Sequence, residues 1–152
     1  MKHINKVKQK LEWEKYYDPD FDWNNYCLYV NGDLTEDFIE EFADKVDWHY
    51  ICSCQDLSES LMRKYSDKLD WITVSRWQTL SEQFIEDFSQ EINWYDISYG
   101  CAFSETFIEK HLNKLDLIHL SYEKCTEEFK QKCLKYHFNK EYHVIVEEKY
   151  EN

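Results

Sequence analysis

The chain has 152 residues, with 31 acidic against 18 basic side chains for a formal net charge of −13, 18% aromatic residues, two Gly and one Pro. So many aromatic side chains exclude a disordered chain despite the low mean hydropathy, and so few breakers exclude an all-β fold built on tight Gly/Pro turns. The acidic excess disfavours direct binding to nucleic acid or membrane headgroups and favours basic protein surfaces, while no run approaches the ~20 apolar residues of a membrane span.

Asn5 to Tyr17 reads as a basic-faced helix that ends before Asp18-Pro19. Its MKHINKVKQK start is followed by charge rather than by an apolar run, so a soluble, unsecreted, cytoplasmic protein is expected. The six Cys (27, 52, 54, 101, 125 and 133) are too few for a disulfide framework and read as small apolar fillers in a reducing compartment. Phe21 to Tyr26 follows with Trp23 at its centre, and Asn31-Gly32 is a turn signal.

From Leu34 the sequence repeats every 23 residues, with units starting at Leu34, Leu57, Leu80 and Phe103 and a degenerate copy at Cys125. Fixed-period similarity is the mark of an array in which each unit buries its apolar face against its neighbours. Each unit opens on a hydroxyl followed by Glu (Thr35, Ser58, Ser81, Ser104, Thr126), a helix N-cap with a carboxylate in the first turn. An apolar stripe follows at helical spacing: Phe38, Ile39, Phe42 and Val46; Leu61, Met62, Tyr65 and Leu69; Phe84, Ile85, Phe88 and Ile92. Asp47, Asp70, Asn93 and Asp116 then cap a second short helix through Trp48, Trp71, Trp94 and Leu117, with Ile51, Val74, Ile97 and Leu120 three residues on. The Trp of each unit is expected to form the spine of the array. Tyr142 to Val146, short and β-branched, reads as a terminal cap or frayed tail.

The predicted fold is all-α: one repeat domain, a short α-solenoid of stacked helix pairs with atypical ends at residues 1–33 and 125–152 and four repeats over 34–124. The alternative is a leucine-rich-repeat-like β/α solenoid, because WITVSRWQ and WYDISYGC are β-rich.

Charge concentrates in the array, where residues 34–116 hold 18 acidic against 7 basic side chains. Glu36, Glu59, Glu82 and Glu105 share one position in the repeat, with Glu40, Glu86 and Glu109 one turn further along. Such a column could imitate the phosphates of nucleic acid, although helix stabilisation on a solvated face is itself a sufficient explanation. Tyr50, Trp77, Tyr95 and Tyr99 lie off the core stripe of the second helix and are candidate anchors for a protein partner; packing on the next repeat is the alternative. A zinc site from Cys125, Cys133, His137 and His143 fails on spacing, and Cys52-Ser53-Cys54 diverges on a helix. No nucleophile elbow or phosphate-cradling Gly-rich loop is present, so no enzyme activity and no cofactor are expected.

The pattern L-S-E-x-F-I-x-x-F-x-x-x-(V/L/I)-D-W-x-x-I-S-x-x-Q resembles tandem short repeats of proteins from giant DNA viruses and bacteriophages, over about Trp23 to Tyr136. It departs at the last full unit, where Leu117 stands for Trp and His111 for an aromatic. The resemblance implies a viral origin and a non-catalytic binding role. The expected function is that of an accessory protein that blocks a host protein with a basic surface, such as a defence nuclease or a CRISPR or restriction effector, through an acidic, nucleic-acid-like surface. The alternative is an assembly protein that self-associates into a homo-oligomer through its aromatic face.

Overall fold

The computed structural model describes residues 34–150, with side chains to residue 139. The basic helix at 5–17, the Trp23 segment, the Asn31-Gly32 turn and the N-terminal cap lie outside the described residues, as do Cys27 and the side chain of His143. The fold is an all-α repeat of the solenoid class. Its helices are α1 (Glu36–Glu41), α2 (Trp48–Cys54), α3 (Glu59–Lys64), α4 (Trp71–Trp77), α5 (Glu82–Asp87), α6 (Trp94–Gly100), α7 (Glu105–Lys110) and α8 (Glu127–Tyr150). Among the described residues there is no strand, only an isolated parallel bridge between Ala102 and Ser121, which sets aside the leucine-rich-repeat alternative. Two compact units divide the chain, Met1–Val74 and Ser75–Asn152.

α1 to α7 have six or seven residues, far below the ~12–15 at which an isolated helix persists, so caps and packing hold them. In the first unit Thr35 Oγ1 accepts from Phe38 N at 3.3 Å and Ser58 Oγ from Leu61 N at 3.2 Å. Asp47 Oδ1 accepts from His49 N, and Asp70 Oδ1 from Ile72 N and Thr73 N, which starts the second helix of each pair. The chain then turns between helices because the indole reaches back: Trp48 Nε1 donates to Ala43 O at 2.9 Å and Trp71 Nε1 to Ser66 O at 3.2 Å. Phe38, Ile39, Ile51, Cys52, Leu61, Met62 and Val74 are almost fully buried beneath these turns.

In the second unit the same devices recur. Ser81, Ser104 and Thr126 cap their helices by accepting from Phe84 N, Phe107 N and Phe129 N, and Asn93 Oδ1 accepts from Tyr95 N and Asp96 N. Trp94 Nε1 donates to Ser89 O at 3.1 Å. Phe84, Ile85, Ile97, Phe103, Ile108 and Leu117 form the buried core.

The tryptophans are not the deepest part of that core. Trp48 is just buried, whereas Trp71 and Trp94 are half-buried. Each of two indoles lies on the aromatic side chain one repeat ahead: Trp48 on Tyr65 with centroids 5.1 Å apart, Trp94 on His111 at 4.6 Å. The spine is therefore the Phe/Leu–Ile/Met stripe with the Ile/Val line, and the indoles rim it.

Two expectations are corrected at the C-terminal end. Leu117–Leu120 does not form a helix although Asp116 Oδ1 accepts from Ile118 N and His119 N as a cap would. Leu117 has no indole to close the preceding turn, and Tyr122 Oη donates to Leu117 O at 2.8 Å, occupying a carbonyl that an extending helix would use. Beyond it, the degenerate repeat and the Tyr142–Val146 segment are one helix, α8, of 24 residues. The capping Asp or Asn and the Trp or Leu that follow each earlier first helix are replaced there by Phe138-Asn139, so nothing caps a second helix and the first runs on.

Candidate protein-interaction face

Successive repeats are joined by polar bonds that recur in register, and the acidic column is one of them. In the first unit, Ser58 N donates to Glu36 Oε1 at 2.6 Å, and Lys64 Nζ lies 2.9 Å from Glu40 Oε2. In the second, Ser104 N donates to Glu82 Oε1 at 2.5 Å and Ser104 Oγ to Glu82 Oε2 at 2.9 Å; Thr126 N and Oγ1 donate to Glu105 Oε1 at 2.7 and 2.8 Å. Glu86 meets Lys110 Nζ at 2.7 Å and His111 Nε2 at 2.8 Å, and Glu109 meets Lys132 Nζ at 2.5 Å. Glu59, half-buried, holds the corresponding position on α3. The column thus has a structural job: its carboxylates cap the next helix or pair with the next lysine.

A second ladder was not read from the sequence. Position by position, Cys52, Ser75 and Ser98 accept the backbone N–H that opens the second element one repeat on: Asp70 N to Cys52 Sγ, Asn93 N to Ser75 Oγ at 2.9 Å, Asp116 N to Ser98 Oγ at 3.0 Å. Cys52 is accordingly more than a filler, and burial pushes its thiol up to about 11. Cys101, half-buried, similarly accepts from Leu80 N. The signal was present as the recurrence of a small hydrogen-bonding side chain at one repeat position.

The carboxylates in these bonds set an acid limit on stability. Glu86 is held below its ordinary 4.5 by Lys110 and then His111, Glu105 by the Thr126 N–H and hydroxyl, and Asp70 below its ordinary 3.8 by His49, whose Nδ1 is 2.6 Å away. Burial pushes Asp116 up, but hydrogen bonds from the His119 ring and from the Ile118 and His119 N–H groups outweigh it. Each is lower in the folded chain than in the unfolded one. Their contribution is complete above the ordinary carboxylate range and is lost as pH falls through the folded values. Thermal midpoints should therefore be flat from neutral pH down to about 5 and drop below 4.5, less steeply in Glu86→Gln; a midpoint that rises on acidification would contradict this.

With the column committed to the fold, the open large side chains are those of the second helices, Ile118, and Tyr136 and Phe138 on α8. Within the Ser75–Asn152 unit, Trp77 is 64% exposed, Tyr95 57% and Tyr99 47%. Tyr50, in the first unit, is half-buried beside His49. Tyr95 and Tyr99 sit one turn apart on α6, ring centroids 5.0 Å apart and tilted by 57°, their hydroxyls 2.7 Å apart. The His119 ring stacks on Tyr99 at 4.7 Å and is itself held by Asp116 Oδ2 at 2.9 Å. The Tyr95 hydroxyl and burial raise the Tyr99 phenol to about 12, so it stays neutral. Asp96, buried, receives Arg76 Nε at 3.0 Å and Nη2 at 2.8 Å, both on Oδ1. The aromatic pair is therefore fixed on a rigid helix beside an ion pair, over a groove of about 470 Å3 lined by Arg76, Tyr95, Asp96, Tyr99 and Gly100.

Sequence reading had placed Trp77, Tyr95 and Tyr99 off the core stripe; the roles of Arg76, Asp96 and His119 were missed because their pairings run 20 residues along the chain, across a repeat boundary. Among the described residues no helix is long and apolar enough to cross a membrane, and no group of three or more His, Cys, Asp or Glu is placed to hold a metal ion. No family model, curated protein or solved structure matches the chain.

Proposed function

We propose that the chain is a non-catalytic repeat module that binds a protein with a basic surface, using Trp77, Tyr95 and Tyr99 as anchors. In line with its resemblance to viral and phage repeats, it acts as an accessory factor that blocks a host protein in the host cytoplasm. The observation that carries the reading is the exposure of Trp77, Tyr95 and Tyr99 on the short second helices of a unit whose helices are capped and mutually bonded. Rigid Trp and Tyr side chains are the commonest sources of binding energy at protein interfaces, since they bring large area at little entropy cost. The net charge of −13 supports a cationic partner.

The test is affinity capture from host lysate with the wild-type chain and with Trp77→Ala/Tyr95→Ala. The expected result is a basic protein retained by the wild type and weakened about 100-fold or more in the double variant, as for loss of two hot-spot side chains. Equal retention by both would overturn the aromatic anchors.

Nucleic-acid mimicry is the version of this reading in which the acidic column contacts the partner. Glu36→Gln/Glu82→Gln/Glu105→Gln discriminates: if the column serves the fold alone, thermal stability falls modestly and binding persists in the folded variant. Binding lost with stability intact would make the column the contact surface. Self-association through the same exposed aromatics is a second reading, opposed by the like charge of two copies. It predicts a mass that rises with concentration in light scattering and is reduced by Trp77→Ala.

A further inference from the structure

The geometry points to the groove beside Asp96 as the seat of an arginine side chain from the basic partner, a step that rests on the protein-binding reading above. Asp96 is 8% exposed and lines the groove, yet both bonds from Arg76 fall on Oδ1. Oδ2 takes no bond from the described residues and is open to the groove, so a donor entering there can reach it.

The walls suit a planar cation. Tyr95 is 57% exposed and tilted by 57° to Tyr99, one face of which His119 covers, and a guanidinium placed on the Tyr95 ring gains cation–π attraction. The floor is open at Gly100, where an added Cβ would come no nearer than 3.9 Å to the Arg76 backbone carbonyl. That carbonyl lies at the C-terminal end of α4, where helix carbonyls run out of intrahelical partners and the dipole is negative. One guanidinium fork can donate to Asp96 Oδ2 and to a carbonyl while stacking on a phenol ring; the compact ammonium of lysine cannot do all three. Arg76 already neutralises the carboxylate, so what holds an incoming guanidinium is hydrogen bonding to Oδ2 and the carbonyl and the phenol face rather than an unmatched charge.

The probe is a capped Gly-Arg-Gly peptide titrated into the full chain and followed through the Tyr95 and Tyr99 ring resonances, with the isosteric, uncharged citrulline peptide alongside. Saturable shifts with arginine and none with citrulline are expected. In Asp96→Asn, which keeps an acceptor for Arg76, and in Tyr95→Ala, whose side chain is exposed, affinity should fall at least about tenfold. Absence of shifts, equal shifts with citrulline, or undiminished affinity in both variants would overturn the seat. Partner capture that still depends on Trp77 after such a result would leave the protein-binding reading standing; loss of capture dependence with the peptide still bound would remove that reading and not the seat.

Discussion

Truncating Trp94 to alanine is expected to destabilise the Ser75–Asn152 unit by about 3 kcal/mol, the low end for a large aromatic because the side chain is half-buried. Three interactions go at once: the indole donation to Ser89 O at 3.1 Å, the tilted ring contact with His111 at 4.6 Å, and the cover of Lys114, whose Nζ lies 4.6 Å from the ring centroid. Trp94→Phe keeps an aromatic face for His111 and loses the N–H, so it should cost about 1 kcal/mol for the missing hydrogen bond plus part of the packing. Denaturant unfolding followed by circular dichroism measures both. Because a repeat chiefly feels its neighbours, hydrogen exchange should show protection lost first in α6 and α7, with α8 following. A cost below about 1 kcal/mol for Trp94→Ala would mean the indole is decoration rather than the clamp between a helix pair and the next repeat.

The repeat made most of this architecture legible. Ser81, Glu82, Phe84 and Ile85 declare a helix start and its buried face within five residues, and Asn93-Trp94 declares the next, because caps and stripes are local and recur. What was not legible depends on pairings one repeat apart. Glu82 reads as a solvated first-turn carboxylate until the backbone of Ser104 is known to lie 2.5 Å from it. Nothing in the sequence separates a column that meets a partner from one that meets the next cap. The aromatic face was half-legible: periodicity placed Tyr95 and Tyr99 away from the core, while packing on a neighbouring repeat, the competing expectation, holds only in that His119 covers one face of Tyr99. The end of the array was misread because its signals are absences. Leu117 lacks an indole N–H and Phe138-Asn139 lacks a cap, and propensity in the flanking residues then decides between a turn and a long helix.

Ser98→Ala is expected to cost about 1–3 kcal/mol, out of proportion to the single oxygen removed. Ser98 is fully buried; its hydroxyl accepts from Asp116 N at 3.0 Å and donates to Trp94 O at 2.7 Å. Alanine leaves the Asp116 N–H facing a methyl group at the start of the one second element that is already only a turn, with no helix to hold it in place. The desolvated donor is the expense, since it had a water partner in the unfolded chain. Cysteine offers a check internal to the molecule. The same repeat position is Cys52 in the first unit, where the thiol accepts from Asp70 N. Ser98→Cys should therefore retain more stability than Ser98→Ala even though sulfur is the weaker acceptor, and urea midpoints of the three chains should fall in the order serine, cysteine, alanine. Cysteine equal to or worse than alanine would show that volume rather than the accepted N–H governs the position, and the ladder joining Cys52, Ser75 and Ser98 would lose its energetic meaning.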